Sequence, residues 1–548
     1  MNTKMQSNLM PMWIQLLIAL LLHFPPSCSS SAQGKLVKAS HIADTRRRTT
    51  TTNIKKAAPR TGISVEQQQQ QQWVQSFSIQ PIHLYDPYSS ALPGRPFFSG
   101  FQTALNKNGN VLAIASKLNN NVSSGGLVQV FTLDESSSST PNAWVQLGSD
   151  IIISTFGDWY GSKILALDEP GSIIAIGSRL AANEMGNVQI LHLKDDTGKW
   201  TLMGNIIEGS QEGEHMGAAL DLSSLGNTIA IGSPFYNRNV IESGQDLNFI
   251  GRVTIWEYDP SAELWTKSAD LYGESANDEF GTTLAISGTA DVLTVGAPSN
   301  DGNGANAGHV RYFEYHVGTG GWLQLDTDID GEQFSDYSGS AIAMGKDKYS
   351  SGSNISSNGS EGYRIAIGAY MNDGETPLSN EQLDNRGHVR LYDYDRVSSK
   401  WDQIGLDING KMPNDFSGGS IAVDRLGNRV IIGATGNDGC GVNAGHARVY
   451  KLSSQEQWEL LGNELSGERE WDQFGESVQM NAAGDRVVVG APRYGADGDG
   501  KVYIFDLIVV AESPSTSPTS NSRHTNRNSW SVSSIAWGMI AVLGIVFM

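Results

Sequence analysis

The sequence predicts an all-β protein, a seven-bladed β-propeller of four-stranded blades that is closed by an N-terminal strand. With 548 residues, the chain is too long for one ordinary core unless the fold is modular. It contains 61 glycines and 18 prolines and shows no long helical pattern, which is typical of many short strands and turns. An internal repeat with seven copies gives the number of blades.

The repeat is clearest in an apolar run that ends in glycine and a small residue. Its seven copies lie at residues 111–117, 173–179, 228–234, 292–298, 364–370, 430–436 and 487–493, and only the first has alanine, Ala115, in place of the glycine. Because these runs are continuously apolar, we expect them to be buried on both faces, as the second strand of each blade.

Three further signals complete the unit. A hydrophobic residue, sometimes followed by serine, precedes a glycine upstream of each run, and an acid lies three residues before that glycine in six copies, as in Asp278 before Gly281. A third strand such as GHVRYFEY follows each run, and a tryptophan opens a fourth. Four strands in about 55–65 residues match the size of a propeller blade. The repeated acid is interpreted as a turn or capping residue.

The tryptophans predict how the ring closes. Six of them follow the first six third strands, none follows the seventh at residues 500–507, and Trp73 precedes all the repeats. The chain therefore begins with a fourth strand and ends with a third. Pairing Trp73–Ile79 with Lys501–Leu507 would complete the seventh blade and remove the open edges of the sheet.

Over about residues 73–508 the repeats resemble the FG-GAP repeats of integrin α-chain propellers. The best matches are the FG and GAP pairs within Phe280–Pro298 and Phe474–Pro492, and the GHVR strands resemble those of algal and microbial relatives. The resemblance implies extracellular recognition, often adhesion, through loops on one face. Fold alone does not define an activity, because propellers host many functions.

The segments outside the repeats predict a secretory protein held at a surface. We expect a signal peptide at residues 1–30, a disordered basic and glutamine-rich arm at 31–72, the propeller at 73–510, a Ser/Thr/Pro-rich stalk at 511–534 and a hydrophobic tail at 535–548. The small residues Ser520, Asn521 and Ser522, a polar spacer and the short tail form a GPI-attachment pattern. The alternatives are an uncleaved N-terminal anchor and a short single-pass C-terminal anchor.

Charge narrows the class of partner. The net charge of −20 for the whole chain becomes −28 over residues 73–510, because the flanking segments are basic. An acidic body argues against nucleic acid as a partner. It suits calcium or other cations, or solubility in a salty exterior.

Metal candidates lie in the loops between second and third strands. Asp301 and Asn303 form one pair of oxygen-bearing residues, and Asp497 and Asp499 form another, so calcium is the cofactor to consider. The competing interpretation is a turn, because asparagine, aspartate and glycine favour turns. The D-x-D-x-D-G motif at Asp326–Gly331 has Tyr337 where a calcium loop needs a carboxylate, so we expect its acids to be exposed on a strand.

Three histidines, His309, His388 and His446, each open a third strand. Since each belongs to a different blade, we expect them to be too dispersed for a zinc cluster and to bond neighbouring turns.

The long loops are the expected ligand sites. The loop at residues 234–250 combines Phe235, Tyr236, Arg238 and Phe249, which are residue types enriched at recognition hot spots. Sequons at Asn121, Asn354 and Asn358 are expected glycosylation sites.

No catalytic motif is present among the common hydrolase, metalloprotease and P-loop signatures, so we expect a protein that is not an enzyme. The leading interpretation is a surface-anchored module that binds an extracellular protein or glycan. The alternatives are a carbohydrate-active enzyme on the same scaffold and a structural cell-wall protein. An enzyme should show several acids and aromatic residues converging on one pocket at the mouth of the ring.

Overall fold

The computed structural model describes residues 70–80, 95–119, 125–136, 142–153, 163–194, 198–240, 245–345, 363–374, 384–495 and 498–510. These residues form seven antiparallel sheets arranged as the blades of a propeller. No helix in these ranges is long and apolar enough to cross a membrane. The predicted signal peptide, arm, stalk and tail lie outside the described residues.

Each blade runs from an innermost first strand to an outermost fourth strand, and five blades add a short fifth segment beside the third strand. The strands are numbered from the N-terminus of the chain. The closing strand is β1 (Gln70–Ile79). Blade one is β2 (Arg95–Leu105), β3 (Val111–Asn119), β4 (Gly126–Asp134), β5 (Ala143–Gln146) and β6 (Ile151–Ile153). Blade two is β7 (Leu165–Leu167), β8 (Ile173–Ser178), β9 (Asn187–Lys194), β10 (Lys199–Leu202) and β11 (Ile207–Glu208), with the helical turn α1 (Ala181–Glu184). Blade three is β12 (Ala219–Leu222), β13 (Thr228–Ser233), β16 (Arg252–Asp259) and β17 (Leu264–Tyr272), with a separate hairpin of β14 (Arg238–Val240) and β15 (Gln245–Leu247).

The remaining blades follow the same order. Blade four is β18 (Thr283–Ile286), β19 (Val292–Ala297), β20 (His309–His316), β21 (Gly321–Gln324) and β22 (Ile329–Asp330). Blade five is β23 (Ala341–Gly345), β24 (Arg364–Ala369), β25 (His388–Asp395), β26 (Lys400–Gln403) and β27 (Ile408–Asn409). Blade six is β28 (Ser420–Val423), β29 (Arg429–Ala434), β30 (His446–Leu452), β31 (Trp458–Leu460) and β32 (Leu465–Ser466). Blade seven is β33 (Val478–Met480), β34 (Arg486–Ala491), β35 (Lys501–Val510) and β1.

The predicted closure of the ring is confirmed. Strand β1 pairs antiparallel with β35, with Trp73 opposite Leu507 and Ile79 opposite Val502. The two ends of the repeat region therefore share one sheet. The edge of β35 that would otherwise be open is hydrogen-bonded.

The tryptophans of the fourth strands link neighbouring blades. The indole N–H of Trp73 donates to the Leu461 carbonyl at 2.8 Å, and that of Trp265 donates to Met203 at the same distance. Trp200 and Trp458 make the same bond to Leu147 and Ile404. In these four, a large side chain packs against the preceding blade and its only polar atom is satisfied there.

The paired glycines of the repeat explain the FG and GAP motifs physically. In β13, a Cβ on Gly232 would lie 2.1 Å from the carbonyl oxygen of Gly281, the FG glycine that begins the next blade. Gly281 itself has φ +93°, a conformation that other residues adopt only with strain. Blades approach each other here through bare backbone, so both motif positions require glycine.

One end of the central channel is narrowed by the turns between first and second strands. The amide of Glu169 donates to the Ser224 carbonyl at 3.0 Å, and that of Ala482 donates to Lys107 at 2.8 Å. Across the ring, the Arg425 guanidinium pairs with Glu169 at 2.7 Å. Because these turns join at their tips, the channel is a cup whose wider mouth is at the opposite face.

Candidate ligand site at the mouth of the central cavity

The seven innermost strands enclose a central cavity of about 1150 Å³. Its wall is built from small and aliphatic side chains, including Ala104, Ala166, Ala343 and Val478. The first strands and the turns after them also supply charged and polar side chains, such as Asp221, Gln479 and Lys107. The aromatic side chains come from the segments that link one blade to the next and from the loops after the second strands. Cavities of this size and composition are typical of small-molecule sites.

The linkers are held by the repeated acid. The Asp278 carboxylate accepts hydrogen bonds from the backbone N–H groups of Ser275 at 2.7 Å and Glu274 at 3.2 Å. Glu214, Asp336, Asp415 and Asp472 do the same in other blades. The interpretation of these acids as turn-capping residues is confirmed for the five described copies.

Directly after this acid, each described linker has a residue in a left-handed backbone conformation. At the corresponding point of blade one, Phe98 has the same conformation. The φ angles lie between +52° and +56° for Phe98, His215, Glu279, Tyr337, Phe416 and Gln473. Large side chains rarely adopt this region, at a cost on the order of 1 kcal/mol each. Strain repeated at one position is often found at functional sites, and four of these six side chains, those of Glu279, Tyr337, Phe416 and Gln473, line the cavity.

An aromatic arc covers one side of the mouth. The ring centroid of Tyr370 lies 6.0 Å from that of Tyr337 and 6.4 Å from that of Phe416. All three residues line the cavity. Together they form a continuous aromatic surface across blades five and six that a planar or ring-shaped ligand can contact.

The loop predicted to bind ligand is only partly at this mouth. Phe235 lines the cavity, and its ring lies 4.8 Å from His215 and 5.4 Å from Phe249. The ring of Tyr236 lies 4.0 Å from the Arg252 guanidinium. Arg238 lies 4.3 Å above the ring of Tyr272. Thus Phe235 lines the cavity and Phe249 packs against it, whereas Tyr236 and Arg238 stack on neighbouring side chains. Ligand contact by these four residues stays a prediction.

Two acids at the mouth are partly desolvated. Burial raises the pKa of Glu476 to about 7, and nearby Arg493 opposes this shift. Burial also raises the pKa of Glu279, against a hydrogen bond from Ser299. Burial lowers the pKa of His215, whose Nδ1 lies 3.2 Å from Arg179. The mouth therefore holds ionisable groups of both signs.

Glu279 and Glu476 do not form a catalytic pair. Glu279 precedes β18 of blade four, and Glu476 precedes β33 of blade seven. Blades that are three apart in a ring of seven lie on opposite sides of the channel. A pair of hydrolytic carboxylates must instead flank one bond, about 5–10 Å apart.

The face around the mouth also exposes large apolar side chains. Phe334 is 62% exposed and Trp471 is 51% exposed, and Phe249, Met412 and Val442 are exposed as well. Phe334, Met412 and Trp471 lie on the same linkers as the mouth residues Tyr337, Phe416 and Gln473. Aromatic and methionine side chains exposed around a cavity often mark a surface that contacts a partner.

The predicted metal residues are engaged in turns. The Asp301 carboxylate accepts the Asn306 N–H at 2.9 Å, which closes the loop after β19. The Asn303 amide donates to the carbonyls of Gly331 and Glu332 at 2.8 and 3.1 Å. The Asp499 carbonyl accepts the Ser99 N–H at 3.0 Å, and Asp497 lies outside the described residues. Calcium at these positions stays a prediction.

The histidines that open the third strands have surroundings that the sequence did not predict. His309 is 1% exposed, its Nδ1 lies 3.4 Å from the Asp328 carboxylate, and its Nε2 has no hydrogen-bond partner among the described residues. Glu274 completes a cluster of three potential ligands, and Glu332, His388 and Asp407 form a second.

One sequence prediction is therefore wrong, because Asp328 of the D-x-D-x-D-G motif is partly buried rather than exposed. That the histidines bond neighbouring turns stays a prediction; their Nε2 atoms have no hydrogen-bond partner among the described residues. A comparison of neighbouring repeats could have found the clusters, because Glu274 and Glu332 occupy matching positions after a glycine.

The predicted glycosylation sites Asn121, Asn354 and Asn358 and the lipid-anchor residues Ser520, Asn521 and Ser522 lie outside the described residues. They stay predictions.

Comparison with known proteins finds distant similarities in fold. No protein-family model and no curated protein matches the chain. The fold is similar to a provisionally assigned 6-phosphogluconolactonase from Bacteroides uniformis, with 12% identity, a TM-score of 0.42 and coverage of 69% of this chain and 88% of that one. It is also similar to Sqt1 from Chaetomium thermophilum, with 13% identity, a TM-score of 0.39 and coverage of 74% and 81%.

A third similar structure is the β-propeller domain of the Trilobed protease from Pyrococcus furiosus, with 10% identity, a TM-score of 0.39 and coverage of 78% and 100%. At these values the similarities carry no functional argument. The chain is a seven-bladed all-β propeller, and the FG-GAP type of its repeats stays a prediction.

Proposed function

We propose that the protein is a binding module that holds an extracellular glycan at the mouth of its central cavity. The observation that carries the proposal is the set of strained linker residues that line one opening, with Tyr337 and Phe416 among them. Sugar rings present apolar C–H faces that stack on aromatic side chains and hydroxyl groups that bond to charged or amide groups. The mouth offers both kinds of contact.

The size of the cavity and the exposed rim support an extended ligand. The cavity of about 1150 Å³ can take several sugar units, whereas a folded protein could enter it only with a loop. Beyond the mouth, Phe334 and Trp471 are exposed where a longer chain would pass. A protein ligand that lies on this rim is the competing outcome of the test below.

A glycan array probed with the full chain tests the proposal. Tyr370→Ala and Phe416→Ala remove rings of the aromatic arc and should each weaken binding of an array hit by about tenfold or more, since stacked side chains of this kind contribute about 1–2 kcal/mol. Val397→Ala is the matched control because Val397 is an exposed apolar residue on the outer hairpin of blade five. Loss of binding in all three variants, or saturable binding of proteins alone, would reject a glycan site at the mouth.

The same proposal places the protein outside the cell. The basis is the sequence: an N-terminal signal pattern and a C-terminal lipid-anchor pattern around Ser520, Asn521 and Ser522. Phosphatidylinositol-specific phospholipase C should release the protein from intact cells. Retention with the 535–548 peptide still present in the mature chain would favour a membrane-spanning tail.

A carbohydrate hydrolase is the second candidate, because Glu476 has the raised pKa of a general acid and faces the cavity. The distribution of the two acids across the ring speaks against it. If the protein hydrolyses an array hit, Glu476→Gln should abolish product formation while binding persists. If it only binds, mass spectrometry will show the ligand intact after long incubation with the wild-type chain.

A further inference from the structure

We propose that the propeller has two equivalent binding sites for a zinc-class divalent cation between neighbouring blades. One is formed by Glu274, His309 and Asp328, and the other by Glu332, His388 and Asp407. In each set, one nitrogen and two carboxylate oxygens lie within 4.8 Å of one another. The proposal is independent of the ligand site at the cavity mouth.

Each site is assembled from the same three structural positions. The histidine is the first residue of a third strand, His309 in β20 and His388 in β25. The histidine pairs with a residue of the short fifth strand, Asp330 in blade four and Asn409 in blade five. The aspartate two residues before it, Asp328 or Asp407, supplies one carboxylate. The glutamate belongs to the linker that leaves the preceding blade. Cation binding would therefore join two blades.

The distances fit a coordination shell better than direct bonding. His309 Nδ1 lies 3.4 Å from Asp328 Oδ2, and His388 Nδ1 lies 3.7 Å from Asp407 and 3.9 Å from Glu332. These separations are too long for hydrogen bonds. Two ligands about 2.1 Å from one zinc ion in tetrahedral geometry are about 3.4 Å apart, and wider angles increase this distance. Both imidazoles are buried, at 1% exposure each, so they are already desolvated and fixed.

Other blades show that this position attracts positive charge. In blade six the linker residue is Lys411 instead of glutamate, and its ammonium lies 2.8 Å from Glu464, the carboxylate that matches Asp328. In blade seven the histidine is replaced by Lys501, which lies 2.8 Å from Glu468. Blades four and five have no lysine at either position. A metal ion would provide the missing charge.

Nearby arginines supply only part of this charge. In the second site, Arg390 donates to the Asp330 carbonyl at 2.9 Å and lies 3.3 Å from Glu332. Arg311 donates to the Tyr272 carbonyl at 3.0 Å and to Gln324, and it approaches Glu274 and Asp328 only at 3.5 and 3.9 Å. Arg448 occupies the same position in blade six, where Lys411 is nevertheless present. An arginine two residues after the histidine is therefore present both in blade six, which has the lysine, and in blades four and five, which lack it.

The ligand set identifies the class of cation. One imidazole and two carboxylates suit zinc and neighbouring first-row divalent ions, and water can complete the shell on the exposed side. Calcium prefers six to eight oxygen ligands and should bind here less well.

Zinc binding to the full chain can be measured by equilibrium dialysis with metal analysis. The wild-type chain should bind two more zinc ions than the double variant Glu274→Lys/Glu332→Lys, which copies the natural arrangement of blade six. The comparison subtracts zinc held by other histidines. Equal zinc content in the two proteins would overturn the proposal, provided that their melting temperatures in chelator agree within a few degrees.

A second variant keeps the test informative if the double variant fails to fold. Lys411→Glu gives blade six a set of Glu, His446 and Glu464, and it should raise the zinc content by one ion per chain. It should also increase the rise in melting temperature that zinc produces. A Lys411→Glu chain that is folded and binds no more zinc than the wild type contradicts the proposal.

Discussion

At the scale of single residues, side chains that face the cavity and side chains that pack between blades occupy neighbouring positions of the repeat. Phe280 and Phe474, the aromatic residues of the FG motifs, are fully buried and fill the blade interfaces. The residues directly before them, Glu279 and Gln473, have left-handed backbones and face the cavity. The same short motif therefore supplies a packing residue and, one position earlier, a residue that varies from blade to blade. Variation on a constant backbone is what a binding surface requires.

The raised pKa of Glu476 makes stability depend on pH. Its folded-state pKa of about 7 exceeds the ordinary value of 4.5, so protonation favours the folded state, and this stabilisation is lost as pH rises from about 4.5 through 7. Glu476→Gln removes the titrating group. Relative to the wild type, the variant should gain about 2–3 kcal/mol in free energy of unfolding between pH 5 and pH 8.

Urea unfolding at both pH values measures this difference. Glu456→Gln, a change at an exposed position, should show no comparable dependence on pH. A constant difference between Glu476→Gln and the wild type at pH 5 and 8 would disprove the assignment.

At the scale of structural elements, four tryptophans of the fourth strands hydrogen-bond to the blade before their own. Trp458 donates its indole N–H to Ile404 at 2.8 Å, whereas Trp322, at the matching position and also half-buried, makes no such bond within the described residues. The two positions therefore differ in one hydrogen bond at similar burial.

Trp458→Phe should lower the free energy of unfolding by about 1 kcal/mol more than Trp322→Phe does, since that is the usual net value of one buried hydrogen bond. Chemical denaturation of the two variants measures the difference. Equal losses would show that the indole contributes only by its packing.

The strands were predictable from sequence because each carries its own repeat signal. The runs that became β8, β19 and β29 are mostly apolar and are buried, and Trp73 indicated how the ring closes. The site was less predictable. Phe235 could be named from its loop, but Tyr370 and Phe416 meet only because adjacent blades bring two different motif positions together. One sequence gives positions along the chain and not the distances between blades.

At the scale of the whole molecule, the ring depends on one pairing between distant parts of the chain. Strand β1 covers β35, and without it the edge that includes Ile508 and Val509 would be open to other chains. Deleting residues 70–79 should lower the melting temperature and cause concentration-dependent association. Light scattering at several protein concentrations measures this, and a truncated chain that stays monomeric with an unchanged melting temperature would contradict the closure account.

The closed ring also gives the molecule two different faces. One end of the channel is narrowed by joined turns such as those of Glu169 and Ser224, and the other opens between aromatic and charged linkers. Any ligand of the cavity must therefore enter from the linker side. The exposed rim residues Phe334 and Trp471 lie on that same side.

Hydrogen–deuterium exchange of the full chain, with and without a saturating glycan from the array, tests the central claim most directly. Bound ligand should slow exchange in the linkers that carry Glu279, Tyr337 and Phe416, because contact at the mouth suppresses local opening there. The outer hairpins near Val317 and Val397 should exchange at unchanged rates. Protection confined to the outer hairpins, with none in the linkers, would contradict a binding site at the mouth of the central cavity.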